Sequence, residues 1–179
     1  MRNLIDDQKI RLVFPHDHIH TPDSQVKILK GFCLRFFQDA DRDLIIDLMK
    51  KLGWTQWDNN YLDYWQMRAL HEGWIIVEDP DTNQIAGCCI AAMPPSGERG
   101  GELAWLAVHP DNQRQGLGKL LATRVTERLI KVHARPIFLT TELFRIDAIR
   151  LYKNLGYVPD LTHENTATHS HLFYDPFNI

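Results

Sequence analysis

Cysteine is scarce in this sequence. The 179 residues include only Cys33, Cys88 and Cys89, which excludes a disulfide-stapled scaffold. Cys88 and Cys89 are neighbours in an apolar run. On a strand they point to opposite faces, as buried, reduced thiols. Long apolar runs are missing too, and nothing approaches the roughly 20 residues of a membrane-spanning helix. The first residues, MRNLIDDQKIRLVF, carry acids where a secretory leader needs an apolar core. These absences lead us to expect a cytoplasmic protein with no membrane partner. There is no excess of positive charge either. Against 23 Asp and Glu stand 20 Lys and Arg, a net charge of −3. Nothing global therefore favours a nucleic-acid partner, although a local basic patch can still hold phosphates. Repeats and low-complexity tracts are absent as well.

What is present is an ordinary globular composition, 44% hydrophobic and 24% charged, in a length that suits one domain. Residues 1–26 read as an N-terminal extension. Within it, IRLVF (10–14) is a short strand and PHDHIHTPDS a polar loop. From residue 27 to 179 the pattern is regular and reads as the main domain. VKILKGFCLRFF (26–37) is a strand. Asp39 or Asp41 caps a helix that ends at Gly53. The aromatic-rich segment 54–73 reads as a loop and then a short helix ending near Gly73. Two apolar runs flank the turn residues 79–83, a hairpin signal. ELAWLAVH (102–109) is apolar on both faces, as a central covered strand is. Leu117, Leu120, Leu121, Val125, Leu129 and Val132 form one stripe of an amphipathic helix. RPIFLTTEL (135–143) is a strand, RIDAIRLYKNLG (145–156) a helix, and YVP and THSHLFYDPF (168–177) are final strands. The class is mixed α/β.

Gln113-Arg114-Gln115-Gly116-Leu117-Gly118 lies between a strand and a helix. Glycine turns in that setting converge backbone N–H groups on a phosphate, and the helix N-terminus adds partial positive charge. A P-loop needs G-x-x-x-x-G-K-[ST], and this chain has two glycines only two apart. A Rossmann turn needs three, spaced G-x-G-x-x-G, near the first strand of its fold. Neither pattern fits.

The stretch resembles motif A of the GCN5-related N-acetyltransferase (GNAT) superfamily, Q/R-x-x-G-x-G/A, with Gln113, Gly116 and Gly118 in the matching places. LAVHP (106–110) looks like the end of that family's fourth strand. AIRLYKNLGYVP (148–159) is similar to the close of its last helix. The resemblance covers roughly residues 28–175. It implies a mostly antiparallel central sheet whose fourth and fifth strands splay apart, flanked by helices. It also implies an acetyl-CoA-dependent N-acetyltransferase that moves an acetyl group directly to a primary amine. The amides of residues 114–119 (Arg114, Gln115, Gly116, Leu117, Gly118, Lys119) would hold the pyrophosphate, aided by the charges of Arg114 and Lys119. The main chain of Leu106, Ala107 and Val108 would bind the pantetheine. One position departs from the pattern: Arg145 stands where many members carry Asn. It can reach the cofactor's phosphates, cap a strand end, or be a solvated charge.

The same resemblance implies a general acid in Tyr152, one helical turn beyond the small Ala148 on the same face. The alternative for Tyr152 is helix packing. For the base, Glu102 opens the strand that carries Leu106. By alternation it shares a face with Ala104, Leu106 and Val108. It can equally be a solvated strand-start carboxylate. Glu142 is the second candidate, and an amine of low pKa needs only water. The acceptor side is expected at Trp54, Trp57, Tyr61 and Trp65. There aromatics with Asp58 and Asp63 suit a cationic small-molecule amine, and a protein acceptor stays open. Some of these aromatics can be helix core instead. His16, His18 and His20 alternate as metal ligands can on a strand, but no Cys pair or HExxH frames them, so no metal is expected. His109 reads as structural. A homodimer is the expected assembly. The competing function is a CoA-binding sensor that performs no catalysis.

Overall fold

In the computed structural model, residues 9–15, 31–95 and 98–169 are described. The His16, His18 and His20 cluster lies outside them, as does most of the strand read over 168–177. Seven strands form one sheet in the order β2-β3-β4-β5-β6-β1-β7. They are β1 (Lys9–Phe14), β2 (Cys33–Phe36), β3 (Ala69–Asp79), β4 (Gln84–Ala92), β5 (Gly101–Val108), β6 (Ile137–Glu142) and β7 (Val158–Pro159). The helices are α1 (Arg42–Lys51), α2 (Asn59–Arg68), α3 (Leu117–Lys131), α4 (Ile146–Asn154) and α5 (Glu164–Thr168). This is the mixed α/β, mostly antiparallel architecture that the sequence implies. The short N-terminal strand is not peripheral. It pairs antiparallel with β6 along its whole length and with β7 on its other edge.

Each face of the sheet buries its own core. On one, the α3 stripe of Leu117, Leu120, Leu121, Val125 and Leu129 packs on Ile75, Cys89 and Leu103, joined by Ile149 and Tyr152 of α4. Each such aliphatic side chain contributes about 1.5–3 kcal/mol on full burial. Val132, the last residue of the predicted stripe, lies past the helix end and is exposed. On the other face α1 and α2 cover Ile76, Cys88 and Ile90. Cys88 and Cys89 thus do face opposite cores, and burial pushes the Cys88 thiol up to about 12.

Several boundaries differ from the sequence reading. The strand read over 26–37 is confined, among the described residues, to Cys33–Phe36. The second helix stops at Arg68, and β3 begins at Ala69 rather than after Gly73. The chain turns extended there because Arg68 and Met93 tie the helix end to the β4 edge. Thr168, the first residue of the predicted last strand, ends α5.

The decisive feature is the junction of β5 and β6, the sheet's parallel pair among the described strands. Their register holds for Gly101–Ile137 and Glu102–Phe138 and then stops. Beyond Glu102, β5 stays with β4 while β6 stays with β1. A wedge therefore opens in mid-sheet, with β5 main-chain groups along one wall. Gly101 sets the closed end. A Cβ there would lie 2.6 Å from Leu129 Cδ2 and 2.7 Å from Ala134 Cβ.

Candidate active site

The wedge leads into a cavity of about 570 Å³. Its lining brings together β5 (Glu102 to Leu106), β6 (Thr140 to Glu142), Arg145 just before α4, Ala148 and Tyr152 on α4, and the aromatic residues Trp54, Tyr61 and Trp65. A volume of this size suits a small-molecule site.

The floor is set by a bulge. Between β4 and β5 the register slips by one residue, and Trp105 takes a left-handed backbone with φ 51°. A bulky residue with positive φ is a local strain that the surrounding packing must hold. The bulge also changes which side chains share a face. Ala104 and Ala107 both join the core under α1 and α2, whereas Leu106 and Val108 pack toward α3. Strict alternation, which put Glu102 with Leu106 and Val108, fails here. Glu102 belongs with Ala104 and Ala107.

Glu102 is not a solvated carboxylate. It is the last β5 residue paired to β6, and its Oε2 accepts a hydrogen bond from Arg68 Nη2. Arg68 sits at the end of α2. It also donates to the Met93 carbonyl and lies over the Trp65 ring, 4.3 Å from its centroid. Burial raises the Glu102 pKa, and the Arg68 charge and hydrogen bond oppose that rise. Glu142 is likewise paired, accepting from Arg145 Nε at 2.6 Å.

Tyr152 and Ala148 both line the cavity from α4, one turn apart. Tyr152 is 6% exposed, and its ring packs edge-on to Tyr157 at 6.0 Å. Burial drives its pKa well above the ordinary value, so the phenol stays protonated at neutral pH. Packing and cavity lining are thus both true of this residue. Arg145 holds the end of β6, its backbone amide donating to the Glu142 carbonyl and its Nε to the Glu142 carboxylate. Its guanidinium stands 4.9 Å over the Trp54 ring, across the mouth of the wedge.

The glycine turn lies at the far end of β5, between it and α3. Arg114 and Gly116 both have left-handed backbones, with φ 59° and 85°. Such alternation turns successive N–H groups to one side. Gly116 is the N-cap of α3, so the amides that open the helix lack intrahelical acceptors. The turn is braced by Gln113 Nε2, which donates to the Val108 carbonyl at 3.2 Å. His109 Nδ1 accepts from the Asp111 amide at 3.3 Å, a structural cap as expected. Gln113 to Gly116 and Lys119 are exposed. A Cβ at Gly118 would meet Leu151 Cδ2 at 3.6 Å and Val108 Cγ2 at 3.9 Å, ordinary contacts that leave room for Ala.

The acceptor-side expectation needs correcting. Trp57 is wholly buried and does not reach the cavity. It packs edge-on against Trp74 and Trp105 at the centre of the second core. Asp58 and Asp63 are also elsewhere: Asp58 caps α2 through the Tyr61 amide, and Asp63 pairs with Arg42 on the surface. The lining residues Lys9, Gln56, Leu103, Ala104, Trp105, Thr140 and Thr141 escaped the sequence reading as site residues. Trp105 looked like one apolar strand position among others, and Lys9 comes from the N-terminal strand. Arg68, behind the wall, looked like helix surface or core. Only a buried position for a lone cation at the end of an aromatic helix hinted at it. Among the described residues no group of three or more His, Cys, Asp or Glu is arranged to hold a metal. No described helix is long and apolar enough to cross a membrane.

No curated protein matches the sequence. Solved structures share the fold. One is a GCN5-related N-acetyltransferase from Sphaerobacter thermophilus, 18% identical with a TM-score of 0.67. That alignment covers 85% of this chain and 48% of that one, so this chain spans about half its length. The ribosomal-protein-S18-alanine N-acetyltransferase of Escherichia coli is 22% identical, with a TM-score of 0.59 and coverage of 70% here and 76% there. A Trypanosoma brucei acetyltransferase is 20% identical, with a TM-score of 0.57 and coverage of 71% and 92%. At these identities the likeness is one of fold. The model of the acetyltransferase (GNAT) family matches residues 36–157, most of the chain. With the wedge and the glycine turn where that family's architecture has them, the chain belongs to the GNAT acetyltransferase family.

Proposed function

We propose that this protein is an acetyl-CoA-dependent N-acetyltransferase acting on a small-molecule primary amine. The observation that carries the reading is the wedge. An unpaired β5 edge runs from the Glu102 end, past Tyr152, to an anion-ready turn at the start of α3. An extended ligand with a phosphate end and amides along its length fits that path. Backbone groups of Leu106, Ala107 and Val108 would pair with its amides. The N–H groups of residues 114–119, with Arg114 and Lys119, would hold its pyrophosphate. Ala148 keeps the α4 wall low.

When bound, acetyl-CoA supplies the acetyl group as a thioester. The remaining work falls to side chains of this chain. Glu102 takes a proton from the acceptor ammonium or amine. Its burial raises its basicity, while Arg68 keeps it ionised and aimed. Tyr152, a phenol protonated at neutral pH and lining the cavity, gives a proton to the departing thiolate. Proximity in a closed wedge supplies the rest. Arg145 belongs to the acceptor wall more than to the phosphate end, because its guanidinium spans to Trp54.

The test is thiol release from acetyl-CoA across an amine panel. Amine-dependent release supports the transferase. Tight CoA binding with no release for any amine favours the second reading, a CoA-binding module of the same fold.

A further inference from the structure

On the α1/α2 face of the sheet, the helix-covered core stops at β5. It takes residues from β3, β4 and β5, and none from β6 or β1 among the described residues. The same face continues across both strands. Ile137 and Leu139, with Ile10, Leu12 and Phe14, point into the α3 core. By alternation, Phe138 and Thr140, with Lys9, Arg11 and Val13, lie on the opposite side. Glu102 stands at the border. It shares this face with Ala104, and it is the β5 residue in register with Phe138.

Arg11 takes the place of a helix there. Its guanidinium lies 3.7 Å from the centroid of the Phe138 ring, and that ring is buried. Two acids hold the guanidinium. Glu98 Oε2 accepts from Nη1 at 3.2 Å, and Asp160 Oδ2 lies 3.5 Å from Nε. Asp160 follows β7, and its amide donates to the Arg11 carbonyl at 3.0 Å. Glu98 belongs to the loop before β5. The Gly101 amide donates to the Pro136 carbonyl at 2.9 Å, which brings that loop beside the start of β6. A cation from the N-terminal strand and an acid from a mid-chain loop thus meet one strand away from Glu102. What lies between is an aromatic ring rather than water, so both charges act on Glu102 with less screening. Burial is the main force raising the Glu102 pKa. Arg68 opposes it most, and behind Arg68 the Glu98 charge raises the pKa and the Arg11 charge lowers it.

Resting on the reading of Glu102 as the base, we propose that Arg11 and Glu98 are positioning residues of the site. Arg11 holds the Glu98 carboxylate beside the closed end of the wedge, and the two opposed charges set the field in which Glu102 gains and loses its proton. They act together with Arg68, which touches Glu102 directly from α2. The other titratable groups of the cavity lining, Lys9, Glu142, Arg145 and Tyr152, belong to β1, the end of β6 and the α4 wall. A half-exposed ion pair adds little to stability. The effect of this one falls on the charge state of a buried neighbour. The N-terminal strand is therefore part of the site's chemistry as well as of its sheet.

An NMR titration of the full chain, isotope-labelled at the glutamate carboxyl carbons, tests this without requiring turnover. The Glu102 signal is the one lost in Glu102→Gln. At low ionic strength its midpoint should move to higher pH in Arg11→Gln and to lower pH in Glu98→Gln, each by less than the upward move in Arg68→Gln. Arg11→Lys keeps the charge and should titrate near the parent. Glu98→Gln, at an exposed loop position, carries the test should Arg11→Gln misfold. Opposite signs separate a field from lost packing, which would move both variants the same way. An unmoved midpoint in both variants, or shifts of one sign in both, overturns the proposal. The acid limb of kcat/KM is recorded in parallel and decides a different question. A midpoint that moves as expected while the limb stays put would sustain the charge coupling and remove Glu102 as the base.

Discussion

Arg68 reaches from the end of α2 to the carboxylate of Glu102, at the point where β5 and β6 part, with the Trp65 ring beneath its guanidinium. One ion pair therefore ties the aromatic wall to the closed end of the wedge. Its pH consequence is direct. In the proposed mechanism Glu102 is the base and works when ionised, so kcat/KM should fall as pH drops through its pKa. Burial raises that pKa and Arg68 restrains it. In Arg68→Gln the restraint is gone, and the acid limb should move to higher pH. Arg68→Lys should return it most of the way. Breaking a buried pair costs about 3–5 kcal/mol, so Tm is recorded for both. Glu102→Gln should abolish the limb. A limb that stays put in Arg68→Gln would show that the pair has no part in the chemistry.

Tyr152→Phe removes a hydroxyl while keeping the ring that packs on Tyr157. Stability and acetyl-CoA affinity should hold, and kcat should fall about 10²-fold, the lower end of general-acid effects. A thioester donor with a more acidic leaving thiol should recover much of the loss. An unchanged kcat would leave Tyr152 as packing alone.

Much of this architecture is legible in the sequence, for physical reasons. The α3 stripe and the hairpin around Asp79–Asn83 are set by local periodicity and turn chemistry, so their elements appear where the pattern puts them. The glycine turn is legible because left-handed backbone restricts the residue type at Gly116. The acceptor wall is not. Trp57 and Trp54 look alike in sequence, yet one is core and the other wall, a difference made by how α1 and α2 close on the sheet. The bulge at Trp105 has no marker either. Trp is a poor residue for positive φ, and the shift of face that takes Leu106 and Val108 away from Glu102 and Ala104 is imposed by the neighbouring strands.

That distinction can be measured. Trp57→Ala should lose about 3–5 kcal/mol of stability, as large core truncations do. Trp54→Ala should leave Tm near that of the parent and act on the amine. Equal Tm losses would mean that both rings are core.

At the turn, the two glycines should behave differently. Gly116→Ala forces a side chain into left-handed backbone at about 1–2 kcal/mol, lowering Tm by several degrees and weakening acetyl-CoA. Gly118→Ala meets only ordinary contacts and should fold and bind nearly as the parent does. A Gly118→Ala protein with lower Tm than Gly116→Ala would refute this reading of the turn.

The most direct test of the central claim is calorimetric titration of acetyl-CoA into the full chain, with free CoA and ATP alongside. The expected result is one saturable site for both CoA forms and none for ATP, with the signal weakened in Gly116→Ala. No binding at millimolar acetyl-CoA would contradict the proposal that the wedge and its glycine turn form a cofactor site.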